Sequence, residues 1–380
     1  MITRLVHPQY SVLHRRRFLL ASAGWALAGR SLAAAGPSGP AVINPLQQPA
    51  DKTARAPDAV LNRLARAGKR LVAVGERGIA VWSDDGGQQW QQAQVPVSVT
   101  LTSVVFVDDR LGWAAGHAGV LLHTNDGGQT WSLQLDGIAL AKAALEQAQQ
   151  QQPAKDDAQR ATRLKQAQQL VSDGPDKPFL ALRFVDARRG LAVGAYGIAA
   201  ATDDGGKTWQ PCSERFDNPK GLHLYGLAQS GSSWLVAGEQ GFIARSVDDA
   251  LSFARVGAPF KGSFFTLITT RDGAMLAAGL LGNVCRIDPV QGTVTPSELP
   301  AKVTVLSSTQ LSNGPIVLVE SSGRLLVSND GGRRFGWHAL PSRGPISSLV
   351  ETGEGGTVAA GPGGVRRLPV DIKTLLQDVK

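Results

Sequence analysis

Short apolar runs, separated by glycine and aspartate, follow one another along most of this chain. Over residues 102–107, Val104 and Phe106 alternate with Ser103 and Val105, the period of two that marks a half-buried strand. Residues 111–115, 120–123 and 131–135 read as three further strands, each too short to be a helix. The separators between them are of two kinds, and both recur.

The first separator is Gly-x-x-Gly, between the second and third runs. Its copies begin at Gly75, Gly116, Gly194, Gly238 and Gly279, with a degenerate sixth at Glu320 and a seventh at Gly361. The second is an octapeptide between the third and fourth runs, with the pattern Ser/Thr-x-Asp-x-Gly-x-Thr-Trp/Phe. It spans Ser83 to Trp90, Thr124 to Trp131 and Thr202 to Trp209, with weaker copies from Ser246 to Phe253 and from Ser328 to Phe335. Aspartate followed by glycine is turn chemistry: glycine takes the positive-φ positions and the carboxylate accepts bonds from turn amides. The closing aromatic then packs as an apolar plug. Asp85, Trp90, Asp126, Trp131, Asp204, Trp209, Asp248, Phe253, Asp330 and Phe335 are therefore structural candidates.

The first positions of the Gly-x-x-Gly copies are 41, 78, 44, 41, 41 and 41 residues apart. Seven units of about forty residues, each of short strands, predict an all-β, seven-bladed β-propeller over residues 58–370. The seventh unit has three strands and no octapeptide. Ala41-Val42-Ile43-Asn44, in a Pro/Ala-rich lead-in over 36–57, is the preferred source of its outer strand, with Val370 as the alternative. The one long spacing contains an insertion over 138–177, rich in Ala, Leu, Gln and Lys and interrupted at Pro153. Good helix formers around a proline predict a helical hairpin between blades 2 and 3. Its connection belongs to the face of the second-to-third turns, where it is either a tolerated surface insertion or a partner-binding or lid element. Residues 371–380 carry Ile372, Leu375, Leu376 and Val379 at helical spacing and read as a short terminal helix.

Charge changes the picture less than its total suggests. The net charge is +8, but residues 1–35 hold five arginines and no acid, and without them the balance is +3. That argues against a nucleic-acid partner. Arg15-Arg16-Arg17-Phe18-Leu19 before a short apolar stretch resembles the twin-arginine export signal of bacteria, with small residues up to Ala35 for cleavage. The expected location is the periplasm. The apolar stretch is too short to cross a bilayer, which leaves the protein peripheral to a membrane at most. Cys212 and Cys285 lie in different repeats and are expected to be buried free thiols, with no metal-ligand spacing about them. No metal and no cofactor are expected.

The turn residues Glu76, Arg77, His117, Tyr196, Glu239, Gln240 and Ser321 are the candidate binding residues, expected round one mouth of the central channel. Two carboxylates, an arginine, a histidine and a tyrosine are also the residue types of a glycosidase site. The octapeptide resembles the Asp-box (BNR) repeat of sialidases, but it lies on the rim and reports fold rather than hydrolysis. A closer resemblance covers residues 58–370. Asp boxes ending Thr-Trp, with phrases such as Val105-Phe106-Val107-Asp108 and Gly112-Trp113-Ala114-Ala115-Gly116, look like the photosystem II stability/assembly factor family. That resemblance implies a non-enzymatic propeller that binds a protein partner belonging to a membrane complex. The expectation is a monomeric, exported scaffold, and the alternative is a glycan-active hydrolase or lectin on the Gly-x-x-Gly face.

Overall fold

A computed structural model describes residues 44–150, 157–338, 340 and 344–369. The expected export signal over 1–35, the candidate closing strand at 41–43, Val370 and the expected helix over 371–380 lie outside the described residues.

Seven antiparallel sheets are present among the described residues. Blade 1 comprises Leu61–Ala67, Arg70–Gly75, Ala80–Ser83 and Gln91–Gln92, and blade 2 comprises Leu101–Phe106, Gly112–Gly116, Leu121–Thr124 and Ser132–Leu135. Blade 3 runs from Phe179–Phe184 to Gln210–Pro211, blade 4 from Leu224–Ser230 to Ala254–Arg255, and blade 5 from Phe264–Thr269 to Val294–Pro296. Blade 6 begins at Val305–Gln310 and ends at Gly336–His338, while blade 7 has Ser348–Glu351, Thr357–Gly361 and Gly364–Leu368 only. The first strands of successive blades touch one another, and the first strand of blade 7 touches that of blade 1. These first strands thus ring a central channel. The protein is the expected seven-bladed β-propeller.

The apolar clusters sit between blades rather than within them. Trp113 and Leu121 of blade 2 pack with Phe184, Ala192 and Trp209 of blade 3, and the rings of Trp113 and Phe184 stack at 3.6 Å. Ala73 and Val81 of blade 1 pack with Val358 and Ala360 of blade 7. There the ring also closes by a bond from the Leu64 amide to the Ser348 hydroxyl, at 3.1 Å.

The octapeptide behaves as its residue types demand. In blade 2 the Thr124 hydroxyl donates to Asp126 at 2.8 Å and accepts from the Gly128 amide at 3.0 Å. Asp126 also accepts from the Gln129 and Thr130 amides and from the Thr130 hydroxyl. The same arrangement recurs at Asp85, Asp204, Asp248 and Asp330. Blade 4 has Asp249 and Ala250 where the others have glycines, and these two take φ of 58° and 66°. In blade 5, Asp288 accepts from the Val290 and Gln291 amides and turns the chain without an Asp box.

Three of the five Asp boxes also join their blade to the one before through the backbone. The Trp131 amide donates to Gln94, just beyond blade 1, and Gln94 donates back to Gln129, both at 2.9 Å. Phe253 is tied in the same way to Arg215, and Phe335 to Glu298. Between blades 2 and 3 the chain enters the insertion at once, so no such backbone strap exists. A side chain replaces it: Gln134 donates to the Gly205 carbonyl at 3.0 Å and accepts from the Trp209 indole at 3.3 Å.

The insertion is a helical hairpin, α1 (Gly137–Gln150) and α2 (Asp157–Asp173). Asp136 caps α1 by accepting from the Ala139 amide at 2.8 Å, and α2 ends at Gly174 with φ of 74°. A Cβ on Gly137 would lie 2.9 Å from the Ala118 carbonyl oxygen, so the foot of α1 is pressed on the blade 2 Gly-x-x-Gly turn. No helix among the described residues is long and apolar enough to cross a membrane. The lead-in from Asn44 runs first along blade 1, where the Ala50 amide bonds Val95 and Gln92 holds both Thr53 and Asp51, and then passes blade 7, where a Cβ on Gly364 would stand 2.0 Å from the Pro57 carbonyl oxygen. Cys212 and Cys285 are free and buried, and burial pushes both thiols up to about 12.

Two expectations follow. Amide and hydroxyl donors hold all five Asp-box carboxylates below the usual range, Asp204 and Asp248 at about 2. A depressed native pKa gives stability that is present above the unfolded-state value near 4 and is lost as pH falls through the native value. The melting temperature should therefore fall between about pH 4 and pH 2, and Asp204→Asn with Asp248→Asn should flatten that fall, as read by calorimetry. Gln134→Ala removes the seam's donor and acceptor together and should cost about 2 kcal/mol in urea unfolding.

Candidate binding face

The Gly-x-x-Gly turns occupy the face opposite the Asp boxes. Each is a single 3₁₀ turn whose middle residue is left-handed: Arg77, Ala118, Tyr196, Gln240 and Leu281 have φ of 51–55°. That conformation costs a residue with a side chain about 1 kcal/mol. The first glycine is set by close approach, since a Cβ on Gly238 would stand 2.1 Å from the His223 carbonyl oxygen. In blade 6 the first position is Glu320, buried, and its carboxylate makes the turn by accepting from the Ser322 and Arg324 amides and from the Arg324 side chain at 2.9 Å. These donors outweigh burial and hold Glu320 at about 2. Ser321 follows it, its hydroxyl directed to the same carboxylate at 3.5 Å.

The candidate residues are distributed one turn per blade. Glu76, in blade 1, accepts from the Val60 amide at 2.9 Å and so fastens the start of its own inner strand. Glu239, three blades on, does the same for the His223 amide at 2.9 Å. Arg77 lies 3.5 Å from Asp51 of the lead-in, with both side chains 74% exposed, a pairing worth little. His117 and Gln240 are exposed on blades 2 and 4. The channel itself is bordered by the first strands, so these turns stand outside its mouth, at the radius between strands two and three.

Two of the candidates are brought together, through residues that the turn pattern does not single out. Tyr196 is 61% exposed, and its ring meets His223 at 4.7 Å. His223 is followed by Tyr225 at 6.1 Å, and Tyr225 by Phe265 at 5.5 Å. The Glu239 carboxylate faces the Tyr225 phenol and helps to raise its pKa. The four rings form a row from the blade 3 turn to the inner strands of blades 4 and 5. At its outer end Lys177, after α2, lies 5.5 Å from the centre of the Tyr196 ring. Burial disfavours the charge on Lys177, but Asp173 and Asp176, at 2.7 and 2.8 Å, outweigh it and raise its pKa. Tyr225 and Phe265 are second residues of their inner strands, and the equivalents elsewhere are Asn62, Thr102, Leu180, Leu306 and Ser347. Counting that position through the repeats was the available signal.

On the Asp-box face, a cleft of about 430 Å³ is lined by Asp186, Arg188, Arg189 and Asp203. Its arginines are already engaged: Arg189 pairs with Asp186 and Asp249, and Arg188 bonds the Asp203 carbonyl. Among the described residues no group of three His, Cys, Asp or Glu side chains is placed to hold a metal ion.

Residues 66–143, which span blades 1 and 2 and reach into α1, match the family model described as photosynthesis system II assembly factor YCF48. Over those residues the chain is similar to a photosystem II assembly factor-type Asp-box propeller. A structure of YCF48 bound to D1 peptide is 18% identical, with a TM-score of 0.57 over 83% of this chain and 94% of that one. YCF48 from Cyanidioschyzon merolae is 15% identical, with a TM-score of 0.57 over 84% and 97%. The WD40 propeller domain of Doa1 is as similar in shape, at 14% identity and a TM-score of 0.59 over 87% and 97%. At these identities the likeness is one of fold. No curated protein sequence matches the chain.

The row can be checked by titration. Burial raises the Tyr225 phenol, and the Glu239 carboxylate raises it further. Glu239→Gln should lower that phenol's pKa in an ultraviolet titration, and Glu76→Gln should leave it in place.

Proposed function

We propose that this protein is a non-enzymatic scaffold that binds a polypeptide of a membrane-associated complex on its Gly-x-x-Gly face. The observation that carries the reading is the row Tyr196, His223, Tyr225 and Phe265, beside the foot of the helical hairpin. Aromatic rings with a polar edge offer large contact area at little entropic cost, and they are the residues that anchor protein interfaces. The hairpin extends the same face. A glycosidase would need two free carboxylates facing one another, whereas Glu76 and Glu239 each hold a strand of a different blade. The comparison with YCF48 bound to D1 peptide favours a polypeptide partner. The arginine pair and small-residue run over 1–35 favour export to the periplasm, where the propeller would act as a monomer.

The test is affinity capture of membrane proteins by the mature protein, beside hydrolysis assays on glycoside substrates. One partner should be enriched by the wild type and lost with Tyr196→Ala and Phe265→Ala, while Arg188→Ala retains it. Glycoside turnover abolished by Glu76→Gln, or capture indifferent to both aromatic variants, overturns the reading. Fractionation of cells carrying the full chain checks the location, with Arg15→Lys and Arg16→Lys expected to keep it in the cytoplasm.

A further inference from the structure

The inner strands line the central channel, and their charge is one-sided. They carry Arg63, Arg66 and Arg183 and a single acid, Glu351. Glu351 is engaged by the amide and hydroxyl of Ser312, on the Asp-box side. Arg66 folds back on the Gly68 carbonyl at 3.1 and 3.2 Å. Arg63 and Arg183 differ, for neither guanidinium has a hydrogen bond or ion pair with any described residue.

Their positions explain where they reach. Arg63 pairs in register with Val74, a place taken in the other blades by Ser103, Ala181, Gly226, Thr266, Ser307 and Ser348. Those small side chains fit between neighbouring blades: a Cβ on Gly226 would lie 2.8 Å from that of Leu267 in blade 5. An arginine is too long for such a slot, and Arg63 is only half-buried. Arg183, on the blade 3 inner strand, is exposed. Inner-strand residues meet solvent along the channel, so both guanidinium groups border it. Crowding by protein pushes both pKa values down, and no carboxylate offsets it. A charge enclosed by protein without a counter-charge is costly to fold around. Guanidinium groups match the planar, paired oxygens of carboxylate and phosphate.

We propose that the central channel is an oxyanion site, with Arg63 and Arg183 as its ligands. The anion is either a small free carboxylate or phosphate, or the terminal carboxylate of an extended polypeptide. The proposal does not rest on the polypeptide-binding reading, because a small anion would satisfy it with the aromatic row taking no part.

Calorimetric titration of the full chain tests it, with succinate, inorganic phosphate, and tetra-alanine bearing a free or an amidated C-terminus as probes. At least one anion should bind saturably and raise the melting temperature. Arg63→Met and Arg183→Met should each weaken it about tenfold or more, Arg63→Lys less, and Arg66→Met not at all. Arg63→Met should itself melt higher than the wild type without anion, which separates lost binding from lost folding. Preference for the free-acid peptide over its amide identifies a chain end, and binding of succinate or phosphate alone identifies a small anion. No saturable binding by any probe, or undiminished binding in the Arg63→Met, Arg183→Met double variant, overturns the proposal.

Discussion

The ring depends on a bond that crosses from one blade to the next. A four-stranded blade exposes two apolar faces and cannot bury either alone. Burial of Trp131, Phe253 or Phe335 between blades supplies the drive, and it is non-directional. Direction comes from the backbone strap, in which the aromatic residue's own amide donates to the chain just leaving the preceding blade. The Asp carboxylate and the Ser or Thr hydroxyl shape the turn so that this amide points outward to its acceptor. Where the strap is missing, Gln134 substitutes for it. Where blade 7 meets blade 1, the ring closes by the Ser348 bond and by packing of Val358 and Ala360 on blade 1.

This division leaves the other face with different obligations. The Gly-x-x-Gly turns need glycine for close approach and a left-handed residue between, but they do not join blades. Their carboxylates serve locally, as Glu76 and Glu239 each fasten the amide that begins an inner strand. Residue types alone made these two acids look like an acid–base pair. Their hydrogen bonds show two copies of one structural device, one per blade.

Much of the fold was legible because the repeat constrains backbone conformation, and conformation constrains residue type. Gly75, where a Cβ would stand 2.0 Å from the Val60 carbonyl oxygen, has copies that recur for the same reason, and so the blades could be counted. The hairpin was legible from composition and from Pro153, as two helices with their foot on the blade 2 turn. Glu320 was read as decay of a pattern, because a carboxylate that builds the same turn shares no letter with Gly-x-x-Gly. Gln134 escaped because its partners, Gly205 and Trp209, are about seventy residues away and belong to another blade. The path of the lead-in along blade 1 hangs on Gln92, one glutamine among several in that stretch. The aromatic row was invisible for a related reason. The second position of an inner strand has no conformational demand, so it differs in every blade and leaves no repeat to find.

That last point bears on where recognition resides. Seven equivalent blades present seven equivalent surfaces, and a polypeptide, which has direction and no seven-fold symmetry, cannot be distinguished by any one of them. Whatever this protein selects must be read by positions where the blades disagree. The disagreements are not scattered. Aromatic rings gather on blades 3 to 5, the unpaired arginines stand on blades 1 and 3, and the hairpin rises between blades 2 and 3. All but the arginines belong to the Gly-x-x-Gly face, and the arginines border the channel that opens on it. The repeat fixes a rigid ring from the Asp-box side, and the departures from the repeat make one sector of the opposite side unlike the rest.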